Sequence, residues 1–273
     1  MIDTQKRTAC DRWLFTIRSA VLMLTAVLIL ALVILFGAQN AQAQWGDLTG
    51  TFVLDGPAPA PVPLNTEGKD APVCNGAVKL FDESVVVGKE GGLANVVIYV
   101  RSKDVKIHES YQKVATDGVV LDNKDCRFEP HIVPLWLSQT LLVKNPDPIV
   151  HNCKGDPLGD VGFNPTIQPG GEFKVQFNKL QSIPVPVNCN IHTWMKGYVV
   201  VRDNPYTAIT DQAGKFTIKN LPAGELEFQA WHEKAGYLEA KPEWKRGRFT
   251  LKIADGKASD LGTIKVKPAK LKL

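Results

Sequence analysis

The stretch that decides how this chain is read is Cys189-Asn190-Ile191-His192-Thr193-Trp194-Met195. It holds a thiolate, an imidazole and a thioether within seven positions. Gly197-Tyr198-Val199-Val200-Val201 follows, a β-branched run that predicts a strand. A second imidazole stands upstream at His151, in Pro148-Ile149-Val150-His151-Asn152. Two imidazoles and a thiolate in a trigonal plane, with a long axial thioether, are the ligands of a mononuclear blue (type 1) copper site. Such a site changes little between Cu(II) and Cu(I), so it passes electrons with little reorganisation. The expected metal ligands are therefore His151, Cys189, His192 and Met195. Cys189 would end a strand, His192 would sit in the turn as the rim imidazole, and Met195 would close the loop. His151 would come from a neighbouring strand, delivered by residues 140–144 and the Asn145-Pro146-Asp147-Pro148 turn.

Asn152 follows the first His and Asn190 follows the Cys. Their amides are expected to link the two segments and donate to the thiolate, which tunes ligand orientation and potential. Ile191, Trp194, Pro184 and Pro186 would surround the site with apolar surface. Zinc fits the set less well, because Met is a poor zinc ligand. Cys153 lies two positions after His151, on the same face of an extended chain. The plain reading is a buried thiol acting as a small apolar residue; a disulfide or an added metal ligand are the alternatives. A binuclear copper centre needs two thiolates in the loop, and the loop has one.

Outward from this loop the chain reads as β. Short Val-, Ile-, Phe- and Leu-rich runs recur between Gly, Pro, Asn and Asp, over 48–54, 85–87, 96–100, 140–144, 173–177, 198–201, 215–218, 226–231 and 248–253. The fold class expected is all-β, a sandwich with turn signals. Residues 55–70 are Pro-rich and read as an irregular surface segment, 103–112 as a short helix or loop, and 265–272 as a solvated basic end. A boundary is expected near Asn204-Pro205. It divides 46–203, the metal-binding sandwich, from 204–273, a small β-module. In that module Gly214 and Pro222-Ala223-Gly224 mark the turns of a hairpin.

The first 43 residues stand apart. Lys6, Arg7, Arg12 and Arg18 precede an uncharged apolar run over 20–36, and Ala41-Gln42-Ala43 is a small-x-small cleavage pattern. This reads as a signal peptide cut after Ala43, with an uncleaved membrane anchor as the alternative. Either form exports the rest, to a periplasmic or extracellular location. The formal net charge is only +4, with scattered Lys and Arg, which argues against nucleic acid as a partner. Export permits a disulfide. Of the five Cys, Cys10 leaves with the leader if it is cut; once Cys189 is assigned to a metal, Cys74, Cys126 and Cys153 then remain, and one of them must be unpaired. Cys74 with Cys126 is the favoured pair, because both lie outside the metal segments.

The run His151-Asn152, then Cys189-x-x-His192-x-x-Met195 before a Gly-Tyr-Val-Val-Val strand, resembles the cupredoxin family. The loop is amicyanin-like and the layout plastocyanin-like. The 38-position separation of His151 from Cys189 suits that family. The resemblance covers about residues 129–201. It implies a Greek-key β-sandwich, a copper cofactor, and an electron carrier rather than an enzyme. Its partner would be a transient redox protein such as a c-type cytochrome or a dehydrogenase. Residues 46–100 would then supply the remaining sandwich strands. The segment 204–233 is similar to carboxypeptidase regulatory-like modules, through Thr210-Asp211…Gly214-Lys215-Phe216-Thr217-Ile218 and Leu221-Pro222-Ala223-Gly224.

Two rival readings stand beside this one. A multicopper oxidase needs a cluster of imidazoles, and the chain has five His in all with no His-x-His pair. A non-redox module for binding, adhesion or copper carriage uses the same ligands. His131 reads as a surface or strand-start residue, His232 as a hydrogen-bonded strand end beside Glu233, and His108 as solvated.

Overall fold

Strand Trp45–Leu54 alternates half-buried and buried residues along its whole length, the period-2 signature of a sheet with one face on a core. The computed structural model describes residues 44–273. The leader expected over 1–43 lies outside the described residues. Trp45–Leu54 runs antiparallel to Lys215–Pro222 and parallel to Ala258–Val266. A second sheet takes the order Thr207–Ile209, Val97–Val100, Gly224–His232, Gly236–Tyr237, with Arg248–Ile253 also paired to Gly224–His232. Leu48, Phe52, Ile98, Phe228, Ile253 and Ile264 from these strands share one apolar core. Both ends of the described chain build this sandwich, here called the terminal sandwich.

The middle of the chain builds another. One sheet orders Glu172–Val175, Thr140–Lys144, Gly118–Lys124 and Arg127–Glu129; the other orders Ile132–Trp136, Lys196–Arg202, Val185–Asn188 and Lys154–Gly155. Leu121, Val133, Leu141, Val187, Val199 and Val201 form its core, which continues into Cys153, Cys189 and Met195.

The two sandwiches meet back to back, and the sequence of two strands records it. Val97–Val100 is buried at every position. Ile98 and Val100 face the terminal core, while Val97 and Tyr99 pack on Ile132, Val200 and Trp231. Lys196–Arg202 does the same from the other side, with Val199 and Val201 inward and Tyr198 and Val200 at the junction. A strand covered on both faces loses its polar alternation. Arg202 lies over the Tyr99 ring at 4.3 Å, within the same junction.

Residues 46–100 do not complete the metal-binding sandwich: their two long strands pair with partners beyond residue 204. The sheets therefore do not follow the boundary expected at 203/204. An alternating pattern shows that a strand is half buried, but not which strand it pairs with. The hairpin expected over 210–233 is also absent. Lys215–Pro222 and Gly224–His232 belong to different sheets, and Gly224, at φ 122°, lets the chain change layers there. Gly214 is required for a different reason: a Cβ on it would sit 1.9 Å from the Phe52 carbonyl oxygen. The basic end is not simply solvated, because Val266 and Leu271 are fully buried in the terminal core. Residues 85–87 make only an isolated bridge, Val87 to Leu93. Glu109–Gln112 is a short helix, as expected of 103–112.

Candidate metal centre

The loop between Val185–Asn188 and Lys196–Arg202 folds on itself. The Met195 amide donates to the His192 carbonyl at 2.9 Å, and the Cys189 amide donates to the Met195 carbonyl at 3.2 Å. The His192 amide approaches Cys189 Sγ at 3.4 Å. These bonds turn Cys189 and His192 inward, and Met195 is buried beside them in the same core.

The other arm is His151, on the two-residue strand His151–Asn152 paired with Thr166–Ile167. The turn before it is braced by Asn145, whose amide donates to the Ile149 and Ile167 carbonyls at 2.8 Å each. Asn145 Oδ1 accepts from the Asp147 amide. Asn152 Oδ1 then accepts from the Asn190 amide at 2.7 Å and the Ile191 amide at 3.3 Å. Asn152 thus ties the two ligand segments together, as expected, but its side chain does not donate to the sulfur: Oδ1 faces Cys189 Sγ at 3.4 Å, and the NH2 group goes to Asn164. Asn190 contributes only its backbone; its side chain is exposed.

The three donors converge. Nδ1 of His151 lies 2.9 Å from Nδ1 of His192. Cys189 Sγ is 4.0 Å from the first and 3.8 Å from the second. All three residues are buried, and their ligand atoms fall within 4.8 Å of one another. Burial alone would push the Cys189 thiol up, but the contacts from His151 and His192 bring it down to about 5. A thiolate is the form that binds metal. Cys153 behaves oppositely: burial, and then the nearby Cys189 charge, push its thiol up to about 12. It is a neutral buried thiol outside the convergent group.

Each imidazole spends its far nitrogen on a carboxylate, and neither carboxylate was assigned to the site from sequence. Asp147 Oδ2 lies 2.9 Å from His151 Nε2 and accepts the Cys126 amide at 2.9 Å; its Oδ1 accepts the Asp125 amide at 2.7 Å. Burial alone would raise the Asp147 carboxyl, yet the bonds from His151 and these amides hold it below the ordinary carboxylate range. Burial alone would lower His151, and its bonds to Asp147 and Cys189 raise it instead. The Asn145-x-Asp147 turn carried this signal, since Asp147 stands four positions before His151. Asp70 Oδ2 lies 3.2 Å from His192 Nε2, across 122 positions of sequence that no local pattern spans.

His192 is therefore not the rim residue expected. Its side chain is 2 % exposed. Asp70 covers it, at the start of helix Ala71–Ala77. That helix is tied down by a disulfide between Cys74 and Cys126, Cα to Cα 5.4 Å, the pair favoured from sequence. Cys74, Leu80 and Cys126 pack there with Leu64, Ile149 and Trp194. The apolar side chains that reach the surface from the loop are Ile191, 45 % exposed, and in part Trp194, whose ring centroid is 5.2 Å from that of His192. Pro184 is buried and Pro186 exposed.

The remaining histidines lie elsewhere. His131 is mostly buried; its Nε2 contacts Glu233, and its Nδ1 is 3.7 Å from Glu83. His232 does not pair with Glu233. It is fully buried, its Nδ1 accepts the Lys234 amide at 3.3 Å, and burial holds it neutral with a pKa of about 4. His108 bonds Ser110 on the surface.

No protein-family model matches the sequence, and no curated protein matches it either. Solved structures give partial likenesses. A copper-containing nitrite reductase (NirK) from Thermus scotoductus SA-01 is 22% identical over 31% of this chain, at a TM-score of 0.29. The match spans 22% of that reductase's own chain. A mutant of amicyanin in its Cu(I) form is 16% identical over 38% of this chain and 98% of its own, at 0.29. A purple cupredoxin from Nitrosopumilus maritimus is 20% identical over 32% of this chain and 99% of its own, at 0.27.

Proposed function

We propose that this protein is an exported, cupredoxin-like type 1 copper protein that carries single electrons between redox partners. One observation carries the reading: two imidazole Nδ1 atoms and one cysteine sulfur converge in a buried pocket, where each Nδ1 meets only the other and the sulfur, and the sulfur meets besides them the His192 amide and Asn152 Oδ1. Buried polar atoms are costly unless they have a partner. The donor set, N₂S with a thioether closing the loop, is that of blue copper. Copper, when bound, supplies the one-electron couple.

The residues do the rest. Cys189 is ionised at neutral pH and offers the strong ligand. Asp147 and Asp70 hold His151 and His192 with Nδ1 inward. Asn152 locks the two arms together, so the donor positions are set by the fold rather than by the metal. Burial keeps water out. Met195 would be the weak axial contact favouring Cu(I).

The alternative, a module that hands copper on, needs ligands that a recipient can reach. Cys189, His151 and His192 are each at most 2 % exposed, which favours a resident metal. With His192 covered, Trp194 and Ile191 form the exit toward a docked cytochrome or dehydrogenase. The terminal sandwich, with its regulatory-module-like segment, would serve docking or placement. The role is that of a carrier, without catalysis.

Electrochemistry on the copper-loaded protein tests the carrier role. The visible band should bleach and return with one electron per chain, over repeated cycles. A band that bleaches irreversibly, with loss of metal, would overturn it.

A further inference from the structure

We propose that Asp70 is a positioning residue of the metal centre, clamped onto His192 by the Cys74–Cys126 disulfide. The inference rests on the copper reading above and adds a second carboxylate and a strut to it.

Asp70 stands at the N-cap of Ala71–Ala77 but makes no capping hydrogen bond. An Asp there ordinarily spends its carboxylate on the free amides of the first turn. Here it turns instead to His192 Nε2, at 3.2 Å, and its own side chain is only 19% exposed. An imidazole whose Nε2–H is held by a carboxylate presents Nδ1 as the acceptor, in one tautomer and one ring orientation. That Nδ1 is the atom 2.9 Å from His151 Nδ1 and 3.8 Å from Cys189 Sγ.

The clamp also reaches the other imidazole. Cys74, on the helix that Asp70 begins, is bonded to Cys126. The Cys126 amide donates to Asp147, which holds His151. The Cys126 carbonyl accepts Trp194 Nε1 at 3.1 Å, from within the metal loop. One cystine thus joins the carboxylate behind His192, the carboxylate behind His151 and the loop itself. The same segment shields His192 from solvent and puts a second anion beside the centre, which favours Cu(II) over Cu(I).

The test compares Asp70→Asn, Asp70→Ala and the neighbouring control Glu67→Gln, which removes an exposed carboxylate from the same segment. Copper affinity is measured by competition with a chelator, and the tautomer of His192 by nitrogen-15 NMR of the apoprotein. Asp70→Ala should weaken copper about 10–100-fold, the usual cost of losing a carboxylate behind a ligand histidine. It should also convert His192 from the Nε2–H form to a mixture. Asp70→Asn, which keeps the shape, should raise the midpoint potential. Glu67→Gln should match the wild type in every respect. If Asp70→Ala keeps wild-type affinity and tautomer, the clamp is refuted. If the wild type itself takes up no copper, the copper reading fails, while the tautomer still tests the clamp.

Discussion

In the terminal sandwich Trp244 stacks on Phe249 at 4.1 Å, and Phe228 stacks on Phe249 at 5.4 Å. Its buried Thr210 is spent on the chain: the Oγ1 donates to the Leu93 carbonyl and accepts the Val96 amide. In the middle sandwich the core runs up to Cys189, His151 and His192, which are buried as deeply as its valines, yet their inward atoms contact mainly one another. The terminal sandwich does leave Thr207 Oγ1, His232 Nε2 and Arg248 Nε buried without a partner, but they sit on separate strands. The middle sandwich instead gathers three donor side chains at one end and braces them from behind with Asp147, Asn152 and Asp70. Convergence of metal-binding groups, rather than an isolated unpaired atom, is what sets that end apart.

Variants in each region should therefore fail differently. Phe52→Ala in the terminal core should cost about 3–5 kcal/mol, the usual price of truncating a buried Phe. The visible spectrum of the folded, copper-loaded protein should stay unchanged; chemical denaturation and absorption on one sample separate the two. A spectral change would mean the sandwiches are coupled. Replacing Cys74 and Cys126 together with Ser should cost about 2–4 kcal/mol, as for other structural disulfides. Unlike Phe52→Ala, it should also weaken copper binding, read by chelator competition.

A pH titration of the metal-free protein sharpens the contrast within the middle core. Cys189 titrates at about 5 against an ordinary 9.0. Between those values the unfolded chain holds a proton that the folded chain lacks, so this group's stabilisation is complete above about pH 9 and is lost as pH falls toward 5. Of the two free thiols among the described residues, ultraviolet thiolate absorbance should show Cys189 ionised at neutral pH. The other, Cys153, should not appear until about pH 12. Smallest of all, Cys153→Ala should cost about 1 kcal/mol, a typical single substitution, and leave the visible spectrum unaltered. A lost band there would make Cys153 a ligand.

Much of the centre was legible because it is local. Cys189, His192 and Met195 lie in one loop, and His151 precedes a telltale Asn. The Cys74–Cys126 pair followed from setting the metal segments aside. Asp70 was not legible, since it meets His192 only after the chain has folded a distant segment across the loop. For the same reason the exposed rim assigned to His192 was wrong. The all-β class was readable from alternation, but the parallel pairing of Trp45–Leu54 with Ala258–Val266 was not. Gly118–Lys124 and Ile132–Trp136 were missed as strands, the second because Pro134 sits within it, at a position exposed to solvent. Proline reads as a strand breaker, yet it is tolerated where its missing N–H is not needed.

The most direct test of the account is the visible absorption of the protein titrated with Cu(II), beside that of Cys189→Ser. An intense blue or green thiolate-to-copper band should appear and saturate at one copper per chain, with no such band in the variant. A colourless Cu(II) protein, or a band that survives in Cys189→Ser, would contradict it.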